Sequence, residues 1–208
     1  MKEKYNKMSF VTNLLIIMCA IIGTIIMYSN VDGGDLASGG IKNFKYYTVL
    51  SNEFCGLVAL ISLLLYQKYR DKLIMLKFVS LVLVCVTFMT VIVFLVHIYG
   101  FKDMYKGANL WFHLILPVVA FADFMVMKIE KEELPFKYTF FCMIPTAIYG
   151  SIYLLNILIN GVGKWPNSND WYGFVKWGLG VGILIFVVIL FISWIMARII
   201  RYIKISKA

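Results

Sequence analysis

The sequence predicts an all-α protein, a polytopic membrane bundle of six transmembrane helices with both termini cytoplasmic. Three observations predict it. The 208 residues are 62% hydrophobic and only 15% charged. Apolar runs recur at about 9–28, 44–66, 75–98, 109–127, 138–160 and 175–199, each near the roughly 18 residues that a bilayer crossing needs. Basic residues collect at alternate connections between those runs. The connections are short, so residues 1–208 form a single integral membrane domain with no room for a soluble one.

The net charge of +9 does not indicate nucleic acid, because of where the charge sits. Lys2, Lys4 and Lys7 precede the first run. Lys68, Arg70, Lys72 and Lys77 follow the second; Lys128, Lys131 and Lys137 follow the fourth. Arg198, Arg201, Lys204 and Lys207 close the chain. The other connections carry only Lys42, Lys45, Lys102, Lys106, Lys164 and Lys176. The positive-inside rule then places both termini in the cytoplasm and makes the connections after helices 1, 3 and 5 external. The basic start of the first run resembles a signal peptide. Its apolar core is longer than a usual h-region and no clear cleavage motif follows, so a retained helix is expected.

The connections say less. Asp32-Gly33-Gly34-Asp35 and Ser38-Gly39-Gly40 form a glycine-rich external loop without a phosphate-loop pattern. Lys128 to Glu133 reads as a solvated cytoplasmic stretch. Trp165, Trp171 and Tyr172, before the last helix, read as interfacial anchors or as cover for a cavity mouth. Cys19, Cys55, Cys85 and Cys142 lie inside spans at no metal-ligand spacing, and read as apolar fillers. His97 and His113 are the only pair that could hold a haem, and both sit at helix ends. No cofactor and no metal is expected.

Polar residues within the spans carry the functional reading, because they are costly there. Thr48 lies about one turn inside helix 2. His113 lies roughly 6 Å inside helix 4, at 1.5 Å per residue. Both helices run inward from the external face, so the two side chains sit at matching depth. A hydroxyl and an imidazole can make a nucleophile and its base. Pro117 has no N–H for the His113 carbonyl, which loosens the helix beside the imidazole; Pro145 does the same to Phe141. Thr48, Asn52 and Gly56 share a helix face, which is also what a small-residue packing seam looks like. Glu53 needs a partner, with Lys45 or Lys102 in reach. Asp123 is about 15 Å deeper than His113. That is too far to orient the imidazole, so a cytoplasmic basic group or hydroxyls on other helices are its expected partners. Tyr149, Tyr153 and Asn156 form a polar stripe that lines a cavity or bonds neighbouring helices.

The segments Phe44-Lys45-Tyr46-Tyr47-Thr48-Val49-Leu50-Ser51-Asn52 and Asn109-Leu110-Trp111-Phe112-His113 to Pro117 resemble those of the androgen-induced gene family of six-span membrane proteins. The resemblance extends to length and layout. It is similar too to bacterial relatives, whose aromatic-proline loop before helix 6 is echoed by Trp165-Pro166 and Trp171-Tyr172-Gly173-Phe174. Animal members are threonine hydrolases that cleave fatty-acid esters of hydroxy fatty acids. The resemblance implies Thr48 as nucleophile and His113 as general base of a lipid ester hydrolase in the cell membrane. Membrane lipids or fatty-acid esters would be the substrate. Asn52, Asn109 and nearby tyrosines are candidate oxyanion donors; Glu53, Tyr149 and Tyr153 complete the candidate substrate-binding set. The alternative is a non-catalytic membrane protein that binds or transports a lipid or small molecule, with Glu53 and His97 as polar anchors. A purely structural subunit is the third reading. The sequence does not fix the oligomeric state.

Overall fold

The computed structural model describes residues 7–29, 40–164 and 168–206. Lys2, Lys4, Lys207, most of the glycine-rich loop and Trp165-Pro166 lie outside the described residues. The described chain is helical, with no strand among the described residues. Five helices are long and apolar enough to cross a membrane. They are α1 (Lys7–Ser29), α2 (Tyr47–Tyr99), α3 (Ala108–Val126), α4 (Tyr138–Asn160) and α5 (Leu179–Ile205).

The sequence leads one to expect a loop between runs 44–66 and 75–98. Instead both belong to α2, interrupted only at Tyr69, whose backbone is non-helical (φ −126°, ψ 33°). One residue suffices to reverse the chain. Ser51 and Thr87 are equidistant from Tyr69 and 36 apart in sequence, yet their hydroxyls meet at 3.0 Å. A straight helix would hold them about 54 Å apart. α2 is therefore a hairpin of two packed limbs, 47–68 and 70–99. The connecting sequence Gln67-Lys68-Tyr69-Arg70-Asp71-Lys72 has no Gly or Pro, so helix persists on both sides of the bend.

The second limb is the centre of the molecule. Every residue from 77 to 87 is buried. A helix apolar on all sides must be surrounded, and here it is packed by α1, α3 and α5. Phe78 stacks on Phe124 of α3 with ring centroids 5.6 Å apart. α5 is peripheral: 11% of its apolar window is buried, against 61% for α2. Small residues bring α1 close. A Cβ on Gly56 would lie 2.8 Å from the Cβ of Ala20, and one on Gly23 would lie 2.4 Å from the Phe112 ring.

Two of the three irregular helical turns fall where proline removes a donor. His113 lies in a π-helical segment, Trp111–Ile115, just ahead of Pro117. α4 is interrupted at Cys142, between Tyr138–Phe141 and Met143–Asn160, where Pro145 leaves the Phe141 carbonyl without its partner. A second π segment, Val91–Leu95, lies in α2 with no proline nearby. α5 starts later than the expected residue 175. The Asp170 carboxylate accepts the N–H groups of Phe174 (2.8 Å) and Val175 (3.1 Å), and Gly178 (φ +99°) turns the chain before the helix begins.

Two charged residues depart from expectation. Lys77 is not a flanking charge: it is buried inside the second limb and forms an ion pair with Asp123. The Asp123 carboxylate also accepts from Ser9 Oγ (2.9 Å), Thr12 Oγ1 and Asn13 Nδ2 (3.0 Å), while Lys77 Nζ donates to Asn13 Oδ1 (2.7 Å). Three helices are joined at one end of the bundle by this cluster. Glu53 meets neither Lys45 nor Lys102. Its carboxyl accepts from the Thr24 hydroxyl of α1, because its side of α2 faces that helix.

Candidate functional site

The site lies at the opposite end of the bundle, at the start of α2. Tyr46 has extended backbone (φ −83°, ψ 133°) and the helix begins at Tyr47. The first amides of a helix have no partner within it. Here the Tyr47 N–H donates to the phenol oxygens of Tyr172 (2.7 Å) and Tyr149 (3.1 Å). The Tyr149 hydroxyl donates to the Lys45 carbonyl (2.7 Å) and accepts from the Trp171 indole N–H (3.1 Å). The Tyr47 phenol pairs with Thr146 Oγ1 at 2.7 Å. The α2 start, α4 and the segment ahead of α5 are tied together by hydroxyls.

These groups wall a cavity of about 50 Å³. Thr48 lines it, together with Thr87 and Thr90 of the second limb, Thr146, Tyr149 and Tyr153 of α4, and Tyr172 and Phe174. Thr48 is 7% exposed, and its hydroxyl has no hydrogen-bond partner among the described residues. The wall depends on Gly150: a Cβ there would lie 1.6 Å from the Phe186 ring, which also faces the cavity.

The segment 168–174 closes this end. Tyr153 donates to the Asp170 carboxylate, Asn156 Nδ2 donates to Asn169 Oδ1 (3.1 Å), and Lys45 Nζ lies 5.5 Å from the Trp171 ring centre. The stripe Tyr149, Tyr153, Asn156 therefore does both things expected of it. Two of its members line the cavity and all three hold the cover. Burial, and then the neighbouring Tyr149 phenol, push the Tyr172 hydroxyl well above the ordinary tyrosine value, so it remains a donor at neutral pH.

His113 is buried beside the cavity but not in its wall. Its Nδ1 donates to the Met104 carbonyl at 2.8 Å. That leaves Nε2 as the unprotonated nitrogen of the neutral ring. Among the described residues no hydrogen bond joins Thr48 to His113. Asn52 connects their backbones: its Nδ2 donates to the Thr48 carbonyl (2.7 Å) and to the Phe112 carbonyl (3.0 Å). Asn109 Nδ2 donates to the Asp103 carbonyl (3.0 Å). Both N–H groups of the Asn52 amide and one of the Asn109 amide are thus engaged on backbone, while their Oδ1 atoms are buried without a partner among the described residues. The groups free to face a ligand in the cavity are hydroxyls. Ser51 bonds Thr87 and the Thr48 carbonyl, a packing role. Glu53 lies toward α1, outside the cavity wall, and His97 is exposed near the end of α2.

Thr87, Thr90 and Thr146 are the cavity threonines that the sequence does not single out. Tyr172, expected as an interfacial anchor or as cover for a cavity mouth, lies in the cavity wall. Among the described residues no His, Cys, Asp and Glu cluster is arranged to hold a metal. The fold and cavity define a helical protein with five helices long and apolar enough to cross a membrane, around a small chamber whose wall includes Thr48, Tyr149 and Tyr172 among apolar side chains. No family model, curated protein or solved structure matches the chain.

Proposed function

We propose that the protein is an intramembrane lipid ester hydrolase with Thr48 as nucleophile and His113 as general base. The observation that carries this reading is the Thr48 side chain, 7% exposed and with no hydroxyl hydrogen bond among the described residues, in the wall of a small and mainly apolar cavity that Tyr172 also lines. The imidazole supports it: with Nδ1 held on Met104, Nε2 is the nitrogen able to accept a proton. Six crossings are counted, two of them the limbs of α2, with both termini cytoplasmic and the Thr48 end external. The sequence resemblance to the androgen-induced gene family points the same way.

The reaction balances without a cofactor. His113 Nε2 takes the proton of the Thr48 hydroxyl as its oxygen attacks the ester carbonyl. The tetrahedral oxyanion collapses, the bond to the alcohol oxygen breaks, and His113 returns the proton to that alcohol. Water then attacks the acyl-threonine, giving one proton to His113 and through it to Thr48, and the fatty acid leaves. The Thr48–His113 hydrogen bond forms in the loaded complex, as such contacts often tighten only with substrate. Tyr172 is the oxyanion donor of this scheme: it lines the cavity, accepts from the Tyr47 N–H and keeps its own proton to donate, whereas the Tyr149 hydroxyl is donated to the Lys45 carbonyl and Asn52 and Asn109 lie outside the cavity wall. Such a donor contributes about 10²–10³-fold in rate.

The absence of a direct Thr48–His113 bond favours one other reading, a carrier that binds a lipid in the same cavity without chemistry. Turnover of a long-chain fatty ester by protein in nanodiscs separates them. Hydrolysis lost in both Thr48→Ala and His113→Ala supports the hydrolase; ester binding with no turnover by wild type supports the carrier.

A further inference from the structure

A second and much larger cavity, about 460 Å³, lies between residues 89–94 of α2 and residues 184–199 of α5. Its lining is apolar apart from Thr90. It shares three residues with the Thr48 cavity: Thr90, Phe174 and Ile189. The two spaces are therefore neighbours across a single layer of side chains. The α2 wall, Met89, Thr90, Val93 and Phe94, runs into the π segment Val91–Leu95, whose Val91 and Leu95 line the small cavity and whose Val93 and Phe94 line the large one. π turns are frequent at functional sites because they redirect adjacent side chains.

The other wall is α5, the least buried of the crossing helices, with Leu184 and Val188 exposed. In a membrane that exposure is to hydrocarbon. The α5 wall runs 16 residues, Leu184 to Ile199, a rise of about 22 Å. One leaflet contributes about half of the ~30 Å hydrocarbon core. The cavity is thus longer than one leaflet is deep, narrow enough to lie between two helices, and without charge.

We propose that this cavity is a binding site for one straight acyl chain, reached sideways from the bilayer between the second limb of α2 and α5. The chain's polar end passes Thr90, Phe174 and Ile189 to reach the Thr48 hydroxyl. This placement rests on the proposed function only in putting the reacting carbonyl at Thr48; the chain site would serve a carrier equally. Ile189 sits at the junction and controls passage. Phe174 is held there by the hydrogen bond from its N–H to Asp170, so the cover of the small cavity and the junction are one structural piece.

The test uses the full chain in nanodiscs and a palmitic acid probe carrying a mid-chain diazirine, photolysed and mapped by peptide mass spectrometry. The expected result is label on residues 89–94 and 184–199, reduced about tenfold by a saturating excess of palmitic acid, as mass action requires. Ile189→Trp should lose the saturable label, and Ile189→Val should keep it, which separates blockage from misfolding. Label spread over α1 and α4 in proportion to their exposure, or cavity label that palmitic acid does not reduce, overturns the proposal and leaves a surface groove wetted by bulk lipid. Saturable label without ester turnover keeps the chain site and removes the hydrolase. Turnover without saturable label does the reverse.

Discussion

The two ends of the bundle hold polar groups in opposite ways. At one end Asp123, Lys77, Asn13, Ser9 and Thr12 bond one another, and the space beside them is about 10 Å³, at most one water. At the other end Thr48 is buried and unpartnered beside open volume. Buried polar groups are normally hydrogen-bonded. A satisfied cluster with no room is a fastening. An unsatisfied hydroxyl with room is a place for a ligand. By that criterion the buried lysine and aspartate are a fastening, and Thr48 is the residue to which the proposed function is assigned.

Mutations sharpen the contrast, ordered here by expected loss of stability. Lys77→Met leaves the Asp123 charge buried without its cation and should cost about 3–5 kcal/mol. The double variant Lys77→Met/Asp123→Leu should recover much of it in thermal unfolding. Equal losses in single and double variants would mean that the pair is not a fastening. Gly150→Ala drives a methyl into the Phe186 ring. Overpacking of that kind costs about 1–3 kcal/mol and should also narrow the Thr48 cavity, read as weaker ester binding. Tyr172→Phe removes the phenol that accepts from the Tyr47 N–H. It should lower stability by about 0.5–1.5 kcal/mol, and lower turnover by about 10²-fold with little change in KM. A change confined to KM would make Tyr172 a substrate contact rather than an oxyanion donor. Thr48→Ala removes a hydroxyl that bonds nothing, so its cost should stay below about 1 kcal/mol. The smallest structural effect should thus accompany the complete loss of activity.

How much of this was legible in the sequence follows from the range of each interaction. The apolar runs announce the helices because hydrophobic length is local information. Pro117 and Pro145 announce irregular backbone at His113 and Phe141 because a missing N–H acts four residues away. A reversal between runs 44–66 and 75–98 was expected; that it is a one-residue break at Tyr69 and not a loop was invisible, since the residues around it are ordinary helix formers. Lys77 looked like a flanking charge because its partner, Asp123, is 46 residues away on another helix. Glu53 was expected to find a lysine for the same reason; its neighbour across α1 is Thr24. The matching depth of Thr48 and His113 could be counted along two helices. Their neighbours around the bundle could not, which is why Thr146 and Phe186 emerged only from the fold.

The central claim is that Thr48 is chemically activated. Intact-protein mass spectrometry after treatment with a lipophilic fluorophosphonate tests it most directly, on wild type, Thr48→Ala, His113→Ala and Lys77→Met. The account predicts one adduct on wild type, mapped to Thr48, absent from Thr48→Ala and His113→Ala and retained in whatever fraction of Lys77→Met is folded. Folded wild type that takes up no adduct, or an adduct that survives Thr48→Ala, would contradict it.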